Sequence, residues 1–276
     1  MDLDMTSKPK VAVIMSVYRN DNEDDFIRAI ESILSQSYSC DLLIYQDGPV
    51  SHMIYSAIQK YSSNPSIILF NSPINKGLAH ALNTMIEYCL KSHYKYIARM
   101  DSDDISRISR IERQVNFLER NPHIHVLGTF CKEFGSSFCL ERKTLPTEHK
   151  DLLNFSITRC PFIHPTVMFR ISVFSSGYRY PENTVLTEDM ALWFDLLKAG
   201  YVFHNINEVL LDFQITEKTI IRRTSFKKSV GEFKIRMKNM ILLKKINLRN
   251  IFLITAKLAL SFTPSFIIKT AYRNLR

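Results

Sequence analysis

The stretch Ala98-Arg99-Met100-Asp101-Ser102-Asp103-Asp104 follows directly on the apolar residues Tyr96 and Ile97. Such an apolar run predicts a buried strand that ends at a cleft. Carboxylates packed this closely repel one another, and a hard divalent cation such as Mg2+ or Mn2+ would offset the repulsion. The alternative is an acidic surface turn that caps a helix starting near Ser106, and the motif alone does not separate the two.

Strand-like and helix-like segments alternate around this stretch. The pattern predicts strands over 11–17, 41–45, 66–70 and 94–100, and helices over 23–36, 53–61 and 78–90. Shorter strands and a helix over 188–198 follow. This order predicts an α/β fold with a Rossmann-like, mostly parallel sheet flanked by helices, in which ligands bind at the carboxyl ends of the strands.

Charge is distributed unevenly along the chain. Residues 218–276 contain 15 Lys and Arg and a single acid, Glu232, whereas residues 1–217 contain 21 basic and 26 acidic residues. A cationic tail of this kind is typical of proteins that meet nucleic acid or an anionic membrane surface. The acidic start of the chain predicts no secretory signal, and five unpaired cysteines without a C-x-x-C motif predict reduced thiols.

Six short motifs occur in one order along the chain, and together they carry a resemblance. The motifs are VIMSVYRN at 13–20, QDGP at 46–49, NKG at 75–77 with Ala81 and Asn83, ARMDSDD at 98–104, PFIHPTVMF at 161–169, and TED at 187–189 with Trp193. In this order and spacing the chain resembles a family 2 glycosyltransferase of the GT-A fold over residues 10–223. The bacterial enzymes that build O-antigen, capsule and exopolysaccharide are the most similar members.

The resemblance implies a reaction and a set of partners. A sugar would pass from a nucleotide diphosphate sugar, for which UDP is the expected nucleotide, to an acceptor hydroxyl with inversion at the anomeric carbon. The expected acceptor is an undecaprenyl-diphosphate-linked saccharide. The implied cofactor is a divalent metal, Mn2+ or Mg2+, with Asp103 as ligand and Asp101 as a second ligand or a ribose contact. Asp104 would brace the turn or cap the next helix.

Asp189 is the general base that the resemblance implies. It lies in the first turn of a predicted helix, where the helix dipole stabilises a charged carboxylate. Acids are common at helix starts for that reason alone, so a structural role is the alternative. Glu188 is the alternative base.

The remaining site residues are also implied by the resemblance. Four of them have a structural role as the alternative to a ligand contact. Asp47 would be an ordinary turn residue and Arg99 part of a structural ion pair, while His164 would be a structural histidine and Trp193 a core residue. Gln46 and Gln214 stand where many relatives carry an acid and an arginine. The implied nucleotide-sugar contacts are Ser16, Val17, Tyr18, Asp47, Asn75, Gly77, Arg99 and Asp101, the acceptor or donor contacts are His164, Glu188 and Trp193, and the diphosphate contacts are Arg222 and Arg223.

The domain organisation follows from the motifs and the charge. We expect a GT-A catalytic domain over 1–217, with a nucleotide-binding half over about 10–120 and an acceptor-side half over about 121–217. Residues 218–276 would form a basic amphipathic helical tail. Lys257 and Pro264 interrupt its apolar run, so the tail should lie on an anionic membrane surface rather than span it. The alternative is that its helices pack on the catalytic domain.

Two other functions were weighed against the transferase. A metal-dependent nucleotidyltransferase would want a glycine-rich phosphate loop after the first strand, and residues 18–25 contain no glycine. A nucleic-acid-binding protein could use the basic tail, but no recognised binding motif is present. We therefore expect a cytoplasmic enzyme, peripheral on the inner face of the cell membrane, with no nucleic-acid partner.

Overall fold

The computed structural model describes residues 9–184, 186–216, 226–260 and 262, apart from the side chain of Lys227. Within these residues, eight strands form one mixed sheet in the order β3-β2-β1-β4-β7-β6-β8-β5. The strands are β1 (Val11–Val17), β2 (Asp41–Asp47), β3 (Ile67–Ser72), β4 (Tyr96–Met100), β5 (Ile105–Ser106), β6 (Val126–Phe134), β7 (Met168–Arg170) and β8 (Phe203–Gln214).

The order of the strands reverses between β1 and β4. The chain runs outward from β1 to β2 and β3, then returns to place β4 on the other side of β1, with all three pairings parallel. In an open α/β sheet such a reversal leaves a crevice at the carboxyl ends of the strands. Here Val17 of β1 and Met100 of β4 end at that crevice, which confirms the predicted position of the acidic stretch.

Helices cover both faces of the sheet. One buried apolar cluster joins one face to the first, second and fourth helices, and another joins the opposite face to the third and seventh. The predicted α/β fold with a mostly parallel sheet is confirmed. The helices are α1 (Glu23–Leu34), α2 (His52–Tyr61), α3 (Leu78–Lys91), α4 (Arg110–Arg120), α5 (His149–Ser156), α6 (Ile171–Ser175), α7 (Glu188–Lys198), α8 (Phe226–Leu242) and α9 (Leu248–Leu260).

The acidic stretch does not cap a helix that starts near Ser106. Ile105 and Ser106 form β5, which pairs antiparallel with β8, and α4 begins only at Arg110. The side-chain oxygen of Ser32 in α1 accepts a hydrogen bond from the backbone N–H of Ser106 at 3.0 Å. These tertiary contacts fix the segment in extended form, so the simplest alternative to a functional role for the acids is wrong.

The two C-terminal helices pack on the domain that the sheet and the other helices form. Met240 of α8 and Ile254 of α9 are buried against Ile157 and against Met190 and Phe194 of α7. The alternative interpretation of the tail, in which its helices pack on the domain, therefore holds for the described part of residues 218–276. The predicted boundary at 217/218 lies outside the described residues.

A buried arginine attaches α8 to the end of α5. The guanidinium of Arg236 donates to the carbonyl oxygens of Ser156 and Ile157, at 2.7 and 3.1 Å, and to the carboxylate of Glu232 at 2.8 Å. A cation at a helix C-terminus is favourable because the last carbonyls have no partner within the helix. Lys257 of α9 also pairs with Glu232, so this carboxylate links the two helices to each other.

No helix among the described residues has both the length and the apolar composition needed to cross a bilayer.

Glu232 should make stability depend on pH in a defined range. Burial raises the pKa of its carboxyl group, but Arg236 and Lys257 lower the pKa more, to about 2. The stabilisation is therefore complete above the ordinary value of 4.5 and is lost as the pH falls towards 2. We expect Glu232→Gln to lower the free energy of unfolding by about 1–3 kcal/mol at neutral pH, with the difference from wild type shrinking in acid.

Urea unfolding of both proteins across this pH range measures the difference. Glu141→Gln is the matched control, because Glu141 is 85% exposed in its surface pair with Lys132 and should contribute little at any pH. A Glu232→Gln effect that is independent of pH would contradict the assignment of this carboxylate as the charged link between α8 and α9.

Candidate active site

Three carboxylates converge at the carboxyl end of β4. One oxygen from each of Asp101, Asp103 and Asp104 lies within 4.8 Å of the other two. Asp104 is fully buried, and one of its oxygens accepts a hydrogen bond from the backbone N–H of Gln214 at 2.8 Å. The sequence thus places the acids, and the contact between the β4 turn and the end of β8 holds the turn in place, as predicted for Asp104.

The arrangement fits a divalent cation. The second carboxylate oxygen of Asp104 is buried without a hydrogen-bond partner among the described residues. Burial and the neighbouring Asp103 and Asp101 all raise the pKa of Asp104, against the smaller effects of the Gln214 N–H and Arg99. Clustered oxygen ligands with uncompensated negative charge are what Mg2+ and Mn2+ bind. Asp101 and Asp103 are the partly exposed members of the cluster, so an ion could approach their oxygens from the solvent.

Two buried arginines supply positive charge beneath the acids. Arg99 pairs with Asp101, and the Nε and Nη1 atoms of Arg99 have no hydrogen-bond partner among the described residues. Arg110, at the start of α4, donates to the carbonyl oxygen of Arg99 at 2.7 Å and to Gln114 at 3.1 Å. Burial lowers the pKa of Arg110 to about 10, while Asp104 opposes the shift, so the guanidinium stays charged at neutral pH.

The loop after β1 is tied to the acidic stretch. The carboxylate of Asp21 accepts hydrogen bonds from the backbone N–H of Tyr18 at 3.0 Å and from the hydroxyl of Ser102 at 2.8 Å. The two loops that line the crevice therefore form one unit. Sequence analysis did not single out Asp21, because its role depends on a partner far along the chain.

Asp47 holds the loop that precedes α3. Its two carboxylate oxygens accept hydrogen bonds from the backbone N–H groups of Lys76 at 2.7 Å and Gly77 at 2.9 Å, which ties the residues just before α3 to the end of β2. Gly48 has φ +83°, and a Cβ there would lie 2.7 Å from the backbone nitrogen of Asn75. The QDGP and NKG motifs are therefore two halves of one contact, and the nucleotide contact expected of Asp47, Asn75 and Gly77 stays a prediction.

The end of β1 alternates between buried and partly exposed residues. Val17 is buried, whereas Ser16 and Tyr18 are partly exposed. Ser16 and Val17 pair in parallel register with Tyr45 and Gln46 of β2. The expected contacts of Ser16, Val17 and Tyr18 with a nucleotide remain predictions that this geometry permits.

His164 and Tyr180 form a polar pair between the acidic stretch and α7. Nε2 of His164 and the hydroxyl of Tyr180 are 3.0 Å apart. Burial and the nearby Arg99 lower the pKa of His164 to about 4, although Asp189 and Asp101 oppose the shift. Burial also raises the pKa of Tyr180. Both groups are therefore neutral at neutral pH, and charged groups from both halves of the chain act on them.

Tyr180 is held by α3 and was missed in the sequence. Its backbone N–H donates to the side-chain oxygen of Asn83 at 2.9 Å, and its carbonyl accepts from the amide of Asn83 at 2.9 Å. The resemblance drew attention to Asn83 but gave it no role. The two residues are far apart in sequence, so no local pattern indicates that they meet.

The acid pair Glu188 and Asp189 begins α7, as predicted. Both are partly exposed, and one oxygen of Asp189 accepts from the backbone N–H of Met190 at 2.7 Å. Burial and the adjacent Asp189 raise the pKa of Glu188, whereas Lys228 and Arg99 lower it. Thr187 makes no side-chain cap, so the acids themselves provide the negative charge at this helix start.

Trp193 is a core residue rather than a ligand contact. Its side chain is fully buried, stacked on Phe169 with ring centroids 5.5 Å apart and edge-on to Phe162 and Phe203. A ring enclosed in this way offers no face to a sugar, so the contact implied for Trp193 is wrong in this conformation. Arg222 and Arg223, the implied diphosphate contacts, lie outside the described residues.

Comparison of the sequence with known proteins shows which family the chain is similar to. The model of the family "Glycosyl transferase family 2" matches residues 12–180. The chain is 32% identical to the UDP-Gal:alpha-D-GlcNAc-diphosphoundecaprenol beta-1,3-galactosyltransferase of Escherichia coli, over 82% of this chain and 82% of that protein.

Two solved structures have the same fold at low identity. The S. aureus TarS 1-349 complex with UDP-GlcNAc superposes with a TM-score of 0.66 at 15% identity, over 93% of this chain and 74% of that one. The mannosyltransferase PcManGT of Pyrobaculum calidifontis, in complex with GDP-Man and Mn2+, gives 0.63 at 14% identity, over 97% and 85%. The chain therefore belongs to glycosyl transferase family 2, and it is a glycosyltransferase with the GT-A fold.

Proposed function

We propose that the protein transfers a sugar from a UDP-sugar to a hydroxyl of a lipid-linked saccharide, with inversion at the anomeric carbon. One arrangement carries this proposal: His164, paired with Tyr180, lies between the strand that ends in the acids and the helix that begins with Glu188 and Asp189. Its ring packs edge-on to Trp193 of that helix, with centroids 6.1 Å apart, and the segment that carries it bonds to β4 through the backbone N–H of Arg99 and the carbonyl oxygen of Val167, at 2.8 Å. A donor diphosphate at the acids after β4 and an acceptor hydroxyl at the acids that begin α7 would meet between them. The nucleotidyltransferase alternative has no comparable support in the loop after β1.

The leaving diphosphate would be held at the β4 turn. Asp103 and Asp101 are the residues that would hold a divalent cation there, with Asp104 behind them. The cation would supply charge neutralisation for the departing nucleoside diphosphate. Arg99 adds a fixed positive charge beside Asp101, and its Nε and Nη1 atoms have no hydrogen-bond partner among the described residues.

Asp189 is the proposed general base. Its position at the start of α7 favours the charged carboxylate through the helix dipole, and the carboxylate can take the proton of the acceptor hydroxyl as the hydroxyl attacks. Glu188 is the alternative base. Because its pKa is raised, its carboxylate binds a proton more readily than that of an ordinary glutamate. His164, neutral and bonded to Tyr180, would orient sugar hydroxyls without adding charge.

The nucleotide and acceptor classes are supported by relatives. The Escherichia coli relative is named for a UDP-Gal donor and a diphosphoundecaprenol-linked acceptor, and the TarS neighbour was solved with UDP-GlcNAc. The Pyrobaculum neighbour was solved with GDP-Man, so GDP-sugars are the competing donors.

A donor screen tests the proposed function directly. UDP-, GDP- and dTDP-sugars are titrated into the full chain with Mn2+ or Mg2+ by calorimetry, and turnover is followed with an undecaprenyl-diphosphate-linked saccharide. We expect metal-assisted binding of a UDP-sugar and, by NMR, a product whose anomeric configuration is opposite to that of the donor. Preference for another nucleotide would overturn the donor assignment, and retention would overturn the mechanism.

Asp189→Asn separates binding from chemistry. The variant should bind the donor as wild type does and lose about 10²–10⁴ in kcat, because the amide cannot accept the proton. Asp195→Asn, on the same helix in a surface pair with Lys198, is the control and should retain turnover. Near-native turnover in Asp189→Asn, with loss in Glu188→Gln, would move the base to Glu188.

Asp103→Asn tests the metal site. Removing one charged oxygen ligand should weaken Mn2+-dependent donor binding at least about tenfold and leave the much weaker metal-free binding unchanged. Asp24→Asn, on the exposed first turn of α1, is the matched control. Unchanged Mn2+ dependence in Asp103→Asn would show that the acidic stretch does not hold the cation.

A further inference from the structure

We propose that the outward surface of the α8–α9 corner binds the surface of an anionic lipid bilayer. This surface is apolar, is edged with basic side chains, and lies where the end of α8 turns into the start of α9. The proposal does not depend on the donor, the acceptor or the chemistry proposed above. We call it the outer face and define it by Ile241, Leu242, Ile246, Leu248 and Phe252.

The outer face is separate from the packing of these helices on the domain. The inner sides of α8 and α9 bury Met240 and Ile254, which are 1% and 2% exposed. Arg236 fixes α8 to the end of α5 through buried hydrogen bonds. The helix pair is thus already docked by its inner side, and the apolar residues that remain outside are not needed for that docking.

The exposure of these residues is high for apolar side chains. Leu248 is 86% exposed, Phe252 68%, Ile246 59%, Ile241 55% and Leu242 52%. Single exposed apolar residues are ordinary, but here five lie within twelve positions, at the end of α8, in the turn and in the first half of α9. Patches of this kind mark surfaces that bind a partner or a membrane.

The charges around the patch select an anionic partner. Lys238, Lys244 and Arg249 are exposed beside it. Glu232, the single acid of residues 218–276, is held on the inner side by Arg236 and Lys257. Apolar side chains interleaved with Lys and Arg, with no acid among them, match the boundary between anionic headgroups and acyl chains.

The described length of α9 favours a position along the surface rather than across the bilayer. α9 has 13 residues and is therefore about 20 Å long, well below the ~30 Å hydrocarbon core of a bilayer. α8 and α9 also pack against α7, whose first turn carries Glu188 and Asp189. Binding through the outer face would hold that end of the enzyme close to the bilayer in which a lipid-linked acceptor is dissolved.

Flotation of the full chain with vesicles tests the proposal. The protein should float with equimolar phosphatidylglycerol and phosphatidylcholine at about 0.1 M salt, and with phosphatidylcholine alone the bound fraction should fall sharply. Leu248→Glu/Phe252→Glu should lower binding to the anionic vesicles at least about tenfold, because it removes apolar surface and adds like charge. Lys244→Glu/Arg249→Glu should weaken binding and flatten its dependence on salt.

Matched controls separate this surface from general stickiness and misfolding. Met53→Glu/Tyr55→Glu changes two apolar residues of α2 that are 61% and 50% exposed, and it should float as wild type does. Unchanged calorimetric binding of UDP with Mn2+ by the Leu248→Glu/Phe252→Glu variant, together with an unchanged circular dichroism spectrum, shows that the variant is folded.

Three results would overturn the proposal. The first is that folded wild-type protein does not float with anionic vesicles. The second is that Met53→Glu/Tyr55→Glu on α2 reduces flotation as much as Leu248→Glu/Phe252→Glu on α9. The third is that light scattering shows a wild-type dimer that Leu248→Glu/Phe252→Glu converts to a monomer. In that case a second copy of the chain, not lipid, covers the outer face.

Discussion

The accumulation of negative charge at the carboxyl end of β4 is the constraint on which the rest of the structure depends. Three carboxylates share a space less than 5 Å across, and one of them is fully buried. The protein offsets part of this cost with two buried guanidinium groups, Arg99 and Arg110. Both arginines lie in the same segment of chain as the acids, Arg99 on the strand before the acidic turn and Arg110 at the start of α4, so the compensating charge is local to the cluster.

The pairing of β7 with β4 brings the His164 segment to the acidic stretch. β7 pairs antiparallel with β4, and the short 3-10 helix that precedes it (His164–Thr166) is thereby carried to the edge of the crevice. The amide of Gln114 in α4 donates to the carbonyl of Thr166 at 2.8 Å and so joins this segment to the helix that neutralises the acids. The acidic turn and the His164 segment are therefore held by one sheet.

The C-terminal helices have a different relation to the site. Their inner side is a structural part of the domain, because Arg236 satisfies the last carbonyls of α5 and Met240 packs beside α7. Their outer side carries exposed apolar and basic residues that make no part of the core. The two interpretations of the tail that the sequence left open, packing and membrane contact, are thus compatible, since they concern opposite sides of the same helices.

The sequence by itself determined the fold class, the family and the residue types of the site. β1, α3 and α7 were placed within a residue, because their apolar periodicity and their ends are local properties, and the acidic stretch was placed at a strand end for the same reason. The tertiary structure alone decided which residues meet. It paired Asp47 with the N–H groups before α3, Asp21 with Ser102 and Tyr180 with His164, and it put Trp193 in the core. Such pairings join positions between 16 and 81 residues apart, and burial depends on what packs from elsewhere, so no local pattern encodes either one.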